Sequence, residues 1–341
     1  MNALYSLFAV LALVLVGFAC GQSEPARMAL TTFVPYTAFT VILVGFCCRV
    51  VRWASAPVPF HIPVTCGQQQ SLPWIHSAKI DNPSTRWGVV SRMAAEILFF
   101  RSLFRNNRAR LSGGRLILGE SAALWLSSLA FHWALLLILL RHLRLFLEPV
   151  PAFVNALDRL DSFFQIGVPP LYLSDVILLG ALTWLLFRRF REPALRYLSL
   201  FSDYFALLLL LAIAVTGILM RYFARVDSRS VKQFALNLAV FRPAAPQALG
   251  TLFLCHLLLV CALAVYLPFS KLMHMGGVFL SPTRNLANNS RSRRHINPWN
   301  APVITHTYAE WEEEFHDKMQ AAGIPLDSGN ETEDDGNART N

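Results

Sequence analysis

The sequence predicts an all-α membrane protein, a polytopic bundle of about six transmembrane helices. Three observations carry that expectation. Only 15% of the 341 residues are charged and 55% are hydrophobic, against about 25% and 45–50% in soluble globular chains. Apolar stretches able to cross roughly 30 Å of hydrocarbon, about 20 residues each, recur six times. Lysine and arginine also concentrate in alternate loops between those stretches, as orientation signals do. The formal charge of +9 is therefore read as membrane orientation rather than as affinity for nucleic acid.

The first stretch, Ala3 to Cys20, has no lysine or arginine in its opening residues Met1 to Ser6. A secretory signal normally carries cations there, so residues 1–28 are expected to remain as an extra membrane helix. The second stretch, Ala29 to Val51, opens a core domain over residues 29–275. An insertion over residues 54–119 interrupts it, beginning with the extended Pro57-Val58-Pro59-Phe60-His61-Ile62-Pro63. A helix is then expected over Ser91 to Arg108, with Met93, Ile97, Phe100 and Phe104 opposing Arg92, Arg101, Arg105 and Arg108. That pattern suits a helix lying on a lipid surface or packed on the protein's own spans.

The remaining stretches run Ser121 to Phe146, Leu171 to Phe187, Phe205 to Tyr222 and Ala248 to Leu272. Beyond Gly276 the tail loses its apolar pattern and passes through Arg291-Ser292-Arg293-Arg294. A short amphipathic helix around Tyr308 to Met319 offers a docking element. The acidic residues Asn330 to Asn341 are expected to be disordered. With six spans, 21 of the 30 lysines and arginines fall on one side and nine on the other. The positive-inside rule then places the first set and both termini in the cytoplasm, in a cytoplasmic (inner) membrane.

The six cysteines form no C-x-x-C pair, so zinc knuckles, iron–sulfur ladders and c-type haem attachment are not indicated. Histidine is the informative residue instead, because an ionisable side chain inside a span is costly and usually functional. His132 and His142 fall on the third stretch, and His256 and His274 on the sixth or at its inner end. His61, His76, His295, His306 and His316 fall in loops or the tail, where exposed histidines need no special role. At about 1.5 Å per residue, His132 and His142 stand ~15 Å apart, and His256 and His274 ~27 Å apart on one face.

Six alternating spans make these two helices antiparallel. His132 then faces His274 toward the cytoplasm, and His142 faces His256 toward the outside. Two stacked His/His pairs are what two bis-histidine b-type haems require, because paired imidazoles fill the iron's coordination and dedicate it to electron transfer. Arg141, Arg144 and Lys271 are candidate partners for haem propionates, although cations at span ends also snorkel to the interface. A haem-free membrane anchor and a transporter remain alternatives at this stage.

The run Pro268-Phe269-Ser270-Lys271-Leu272-Met273-His274, with His256 eighteen residues earlier and the His132/His142 pair, resembles the cytochrome b (gamma) subunit family of respiratory nitrate reductases over roughly Ala29 to Arg284. Gly67-Gln68-Gln69-Gln70-Ser71-Leu72 and Phe100-Arg101-Ser102-Leu103-Phe104-Arg105-Asn106 further resemble the DsrM branch, found in the DsrMKJOP complexes of dissimilatory sulfur metabolism. The resemblance implies a membrane cytochrome exchanging electrons between menaquinone and a cytoplasmic iron–sulfur, heterodisulfide reductase-like DsrK subunit. The sulfur carrier DsrC is then an indirect partner, and disulfide or trisulfide chemistry lies outside this chain. It also implies a quinone pocket beside the outer haem, with Arg141, Arg144 and Asp175 as candidate residues.

Overall fold

The computed structural model of the chain describes residues 1–56, 61–62, 67–104, 108–119, 121–243, 249–291 and 305–327. The Pro-rich stretch apart from His61 and Ile62, Arg105, the side chain of Arg108, the basic residues 292–294 and the acidic residues 330–341 lie outside what is described. Residues Met1–Arg294 form one compact unit and His295–Asn341 a second.

In the first unit, α1 (Asn2–Cys20) and α2 (Glu24–Ala54) are followed by α3 (Arg86–Phe99), α4 (Arg101–Phe104) and a hairpin of β1 (Arg108–Ser112) and β2 (Arg115–Gly119). Then come α5 (Ala122–His142), α6 (Ala152–Asp161), α7 (Leu173–Arg191), α8 (Pro193–Leu198), α9 (Phe201–Ile218), α10 (Ser228–Ala239), α11 (Thr251–Tyr266) and α12 (His274–Gly277). The hairpin turns at Gly113-Gly114, with φ of 58° and 76°, the left-handed geometry that a two-residue connection between twisted strands requires.

Among the described residues, five helices are long and apolar enough to cross a bilayer: Asn2–Cys20, Glu24–Ala54, Ala122–Leu145, Phe201–Phe223 and Thr251–Phe269. The expected fourth span is present as α7. However, Asp175 stands in its first turn and Arg188, Arg189 and Arg191 in its last, leaving residues 176–187, about 18 Å of helix, free of charge. The expected count of about six is thus met by five apolar helices and one equally long helix with charged ends.

These six helices alternate in direction. At one end Asn2 and Ser6 on α1 donate to the carbonyls of Ser199 and Phe201, Arg189 on α7 donates to the Ser199 hydroxyl, and Lys271 pairs with Asp203 on α9. At the other end Arg27 reaches the Leu249 carbonyl, and Asp175 on α7 meets Arg141 on α5 and Tyr222 beyond α9. Because apolar side chains gain little from leaving lipid, close packing by small residues holds such bundles together. Gly17 and Gly21 serve that role on α1. A Cβ on Gly17 would lie 2.8 Å from the Cys255 Cα, and one on Gly21 would lie 2.8 Å from the Thr251 side chain. Leu209 and Leu259, fully buried, and Val10 then join α1, α9 and α11 in one cluster, while Leu178 and Leu182 of α7 pack with Ala134, Leu210 and Ala214.

The helix expected over Ser91 to Arg108 takes a different form. Helix α3 begins at Arg86, where the Thr85 hydroxyl accepts from the Gly88 N–H. It stops at Phe100, whose backbone is left-handed (φ 51°, ψ 45°), and a short α4 follows. Two indole N–H groups of α5 impose the break, Trp125 donating to the Phe99 carbonyl at 2.7 Å and Trp133 to the Leu98 carbonyl at 3.1 Å. Arg101 then turns to a two-point pair with Asp81, which raises the pKa of Arg101. Arg92, one of the arginines expected opposite the apolar positions of that helix, is buried.

His61 also departs from expectation, being 1% exposed. Its Nε2 donates to the Thr283 carbonyl at 3.1 Å, with the Arg92 guanidinium 3.5 Å away. Burial lowers its pKa, the Thr283 bond opposes that shift, and Arg92 adds to it. The insertion is therefore fastened to the segment after α12, as it is again through Asn288 on Asn82 and on the Pro83 carbonyl.

In the second unit, α13 (Tyr308–Ala321) begins with a reciprocal Thr307/Glu310 cap. Tyr308, Trp311 and Phe315 stack along one side of it, with ring centres 6.0 and 5.5 Å apart.

Candidate functional site

The four histidines gather in two places, but His256 and His274 do not share one face of a continuous helix as expected: α11 ends at Tyr266, and His274 opens the short α12 after two 3-10 turns. Near one end of the bundle the His132 and His274 rings lie 5.9 Å apart at an interplanar angle of 81°. Toward the other end His142 and His256 are near enough to interact electrostatically. Each Nδ1 is engaged. His132 bonds the Ser128 carbonyl at 2.7 Å, His142 the Ile138 carbonyl at 2.8 Å, and His274 the Lys271 carbonyl at 2.9 Å. A carbonyl only accepts, so these three Nδ1 atoms carry the proton and leave the Nε2 lone pair available.

His256 reaches the same state differently. Its Nδ1 lies 2.8 Å from the Thr216 hydroxyl, which is itself 2.8 and 3.0 Å from the carbonyls of Ala212 and Ile213. The hydroxyl spends its proton on those carbonyls and accepts from His256. Among the described residues no Nε2 of the four makes a hydrogen bond.

This donor set fits haem iron. Two imidazoles on opposite sides of one metal ion, at metal–nitrogen distances of about 2 Å, hold their ring centres roughly 6 Å apart, the separation of His132 and His274. No group of three or more His, Cys, Asp or Glu side chains able to hold a bare ion occurs among the described residues. His142 and His274 are exposed, which leaves a bulky planar group room to approach. Phe100 and Phe131 stand edge-on to His132 at 4.8 and 4.7 Å. The broken α3–α4 elbow, part of Phe100–Asn106, therefore lies against the His132/His274 pair.

The other candidate residues are tied into ion pairs. Arg141, 8% exposed in its side chain, pairs with Asp161 at 3.1 Å and Asp175 at 3.3 Å. It also donates to the Ser174 hydroxyl and stacks on Tyr172 at 3.6 Å. Arg221 lies over the same ring at 3.7 Å; two guanidinium groups that close must take opposite faces. Beyond α9 the turn widens, the Ala224 N–H donating to Leu219 five residues back, and Tyr222 swings over to donate to Asp175 at 2.8 Å. Arg144 pairs with Asp158, which also accepts from the Tyr172 hydroxyl. Lys271, beside His274 in sequence, pairs with Asp203. Asp161, Tyr172, Tyr222, Thr216 and Phe100 were not singled out as site residues from the sequence; Thr216, a hydroxyl within an apolar run, carried the clearest signal.

Fold and site together define a polytopic helical membrane protein with histidines of α5 paired with histidines of α11 and of the short α12 that follows it. The chain belongs to the nitrate reductase gamma subunit family, whose model matches residues 85–292. It is 44% identical over 273 residues to the "Hdr-like menaquinol oxidoreductase cytochrome b-like subunit" of Archaeoglobus fulgidus, a match covering 78% of this chain and 82% of that protein. A protein of the same name from Archaeoglobus profundus is 42% identical, with 78% of this chain and 81% of that protein covered.

Proposed function

We propose that the chain is a dihaem cytochrome b that carries electrons between the menaquinol pool and a cytoplasmic iron–sulfur, heterodisulfide reductase-like subunit of the DsrK kind, with DsrC chemistry confined to that partner. The observation that carries this reading is the four imidazoles in two pairs, each with Nδ1 bonded and Nε2 available. His132 and His274 hold the inner haem, and His142 and His256 the outer one. When bound, each haem supplies a one-electron iron couple.

The chain's own part is to fix the imidazoles and to separate the pairs by ~15 Å along α5. The relatives' name supports menaquinol as the electron donor. Arg141, Arg144 and Asp175 place charge beside His142, where a quinol head group would bind, and Lys271 stands where an inner propionate would lie. α7 serves as the sixth span, its terminal arginines snorkelling to the interface, with the His132/His274 end and both termini in the cytoplasm.

The test is a reduced-minus-oxidised spectrum of the purified chain from haem-replete cells. Two b-type haems per chain are expected, falling to one in both His132→Ala and His256→Ala. The haem lost in His132→Ala is also lost in His274→Ala and kept in His256→Ala. Colourless wild-type protein overturns the reading.

A further inference from the structure

We infer that Thr216 is a positioning residue for the outer histidine pair and that it tunes that pair separately from the inner one. The inference rests on the dihaem reading above. Three of the four histidines take their orientation from a carbonyl on their own chain turn, three or four residues back. His256 instead takes it from α9, across forty residues of sequence, through the Thr216 hydroxyl. The adjoining Gly217 also lies against the ring, where a Cβ would meet the His256 Cε1 at 3.5 Å, an ordinary contact distance. A ring so held follows any movement of α9 relative to α11.

An acceptor on Nδ1–H makes an imidazole a more basic ligand, which favours the oxidised metal and lowers its potential. A hydroxyl is a weaker acceptor than the carbonyls serving the other three rings. The outer pair therefore contains one ligand whose partners lie on α9, the Thr216 hydroxyl at 2.8 Å together with the Ile213 carbonyl. Thr216→Val keeps the shape of the residue and removes the oxygen, whereas Thr216→Ser keeps the oxygen and removes the methyl.

The experiment is a redox titration of the purified full chain, followed by optical and electron paramagnetic resonance spectra, with His256→Ala and His132→Ala identifying the two haems. Thr216→Val is expected to raise the midpoint potential of the haem that His256→Ala removes, to shift that haem's low-spin resonance, and to leave the other haem unmoved. Thr216→Ser is expected to match the wild type. No shift, a downward shift, an equal shift of both haems, or a shift that follows the methyl rather than the hydroxyl overturns the inference. Wild-type protein without haem overturns the dihaem reading instead, so the two failures are read separately.

Discussion

Arg141→Met tests the His142 end of the bundle most severely. The guanidinium is nearly enclosed and neutralises Asp161, whose side chain is 1% exposed. Without it Asp161 keeps, among the described residues, the Ser174 N–H and hydroxyl as partners, at 2.8 and 2.6 Å, and Asp175 keeps Tyr222. Removing one member of a buried pair costs about 3–5 kcal/mol, because the remaining charge is stranded. At about 2 °C per kcal/mol for a large domain, Arg141→Met should lower the unfolding midpoint by roughly 6–10 °C in detergent, followed by tryptophan fluorescence. Adding Asp161→Asn should recover a substantial part of the loss, since replacing both members of a buried pair is often close to neutral. A shift below about 2 °C for the single variant, or a double variant no better than the single, would refute the claim that Arg141 chiefly neutralises Asp161.

Gly17→Ala should destabilise the bundle by about 1–3 kcal/mol, because its Cβ meets the Cys255 backbone; Gly180→Ala, with nothing within 4 Å, should be neutral or stabilise by up to ~1 kcal/mol. Thermal unfolding of the two variants side by side checks both. The lowered pKa of His61 means that the folded state prefers the neutral ring, so its contribution is complete above the unfolded pKa of about 6.5 and fades as pH falls below it. Hydrogen-exchange protection near residues 281–288, taken relative to the intrinsic rate at each pH, should therefore fall on acidification from pH 7 toward 5, and His61→Gln should flatten that dependence. Asp227 caps α10 through the N–H groups of Arg229 and Ser230 and the Ser230 hydroxyl, and these bonds, the hydroxyl's first, hold its carboxyl below the usual range. The α10 cap should be intact above about pH 4 and lost as pH falls further, read as a loss of hydrogen-exchange protection, relative to the intrinsic rate at each pH, in the first turn of α10 alone.

Apolar run length places α1, α2, α5, α9 and α11 in the sequence because a membrane helix must satisfy its own backbone hydrogen bonds over a fixed thickness, whatever its neighbours. The same arithmetic falters at α7, where charges at both ends shorten the apolar run although the helix itself continues. It also falters at α3, where Met93, Ile97, Phe100 and Phe104 keep helical spacing through a residue that is not helical. Phe100 is bent by hydrogen bonds from Trp125 and Trp133, side chains 26 and 35 residues away from the carbonyls they reach. His61 reads as a loop histidine until Thr283, 222 residues on, covers it.

The amino-acid sequence by itself determined that this chain is a bundle of membrane helices and that its unusual ionisable groups are histidines in or just beyond them, although the break between α11 and His274 was not legible in it. Both properties are local, set by composition and by rise per residue. Only the tertiary structure decided that Arg141 is shared by Asp161 and Asp175, that Tyr222 crosses to α7, and that His256 is held by Thr216 rather than by its own helix. Those partners lie tens of residues apart along the chain, and which side chains meet across a helix interface depends on how closely the helices approach and how they are rotated, here fixed by contacts such as Gly17 on Cys255.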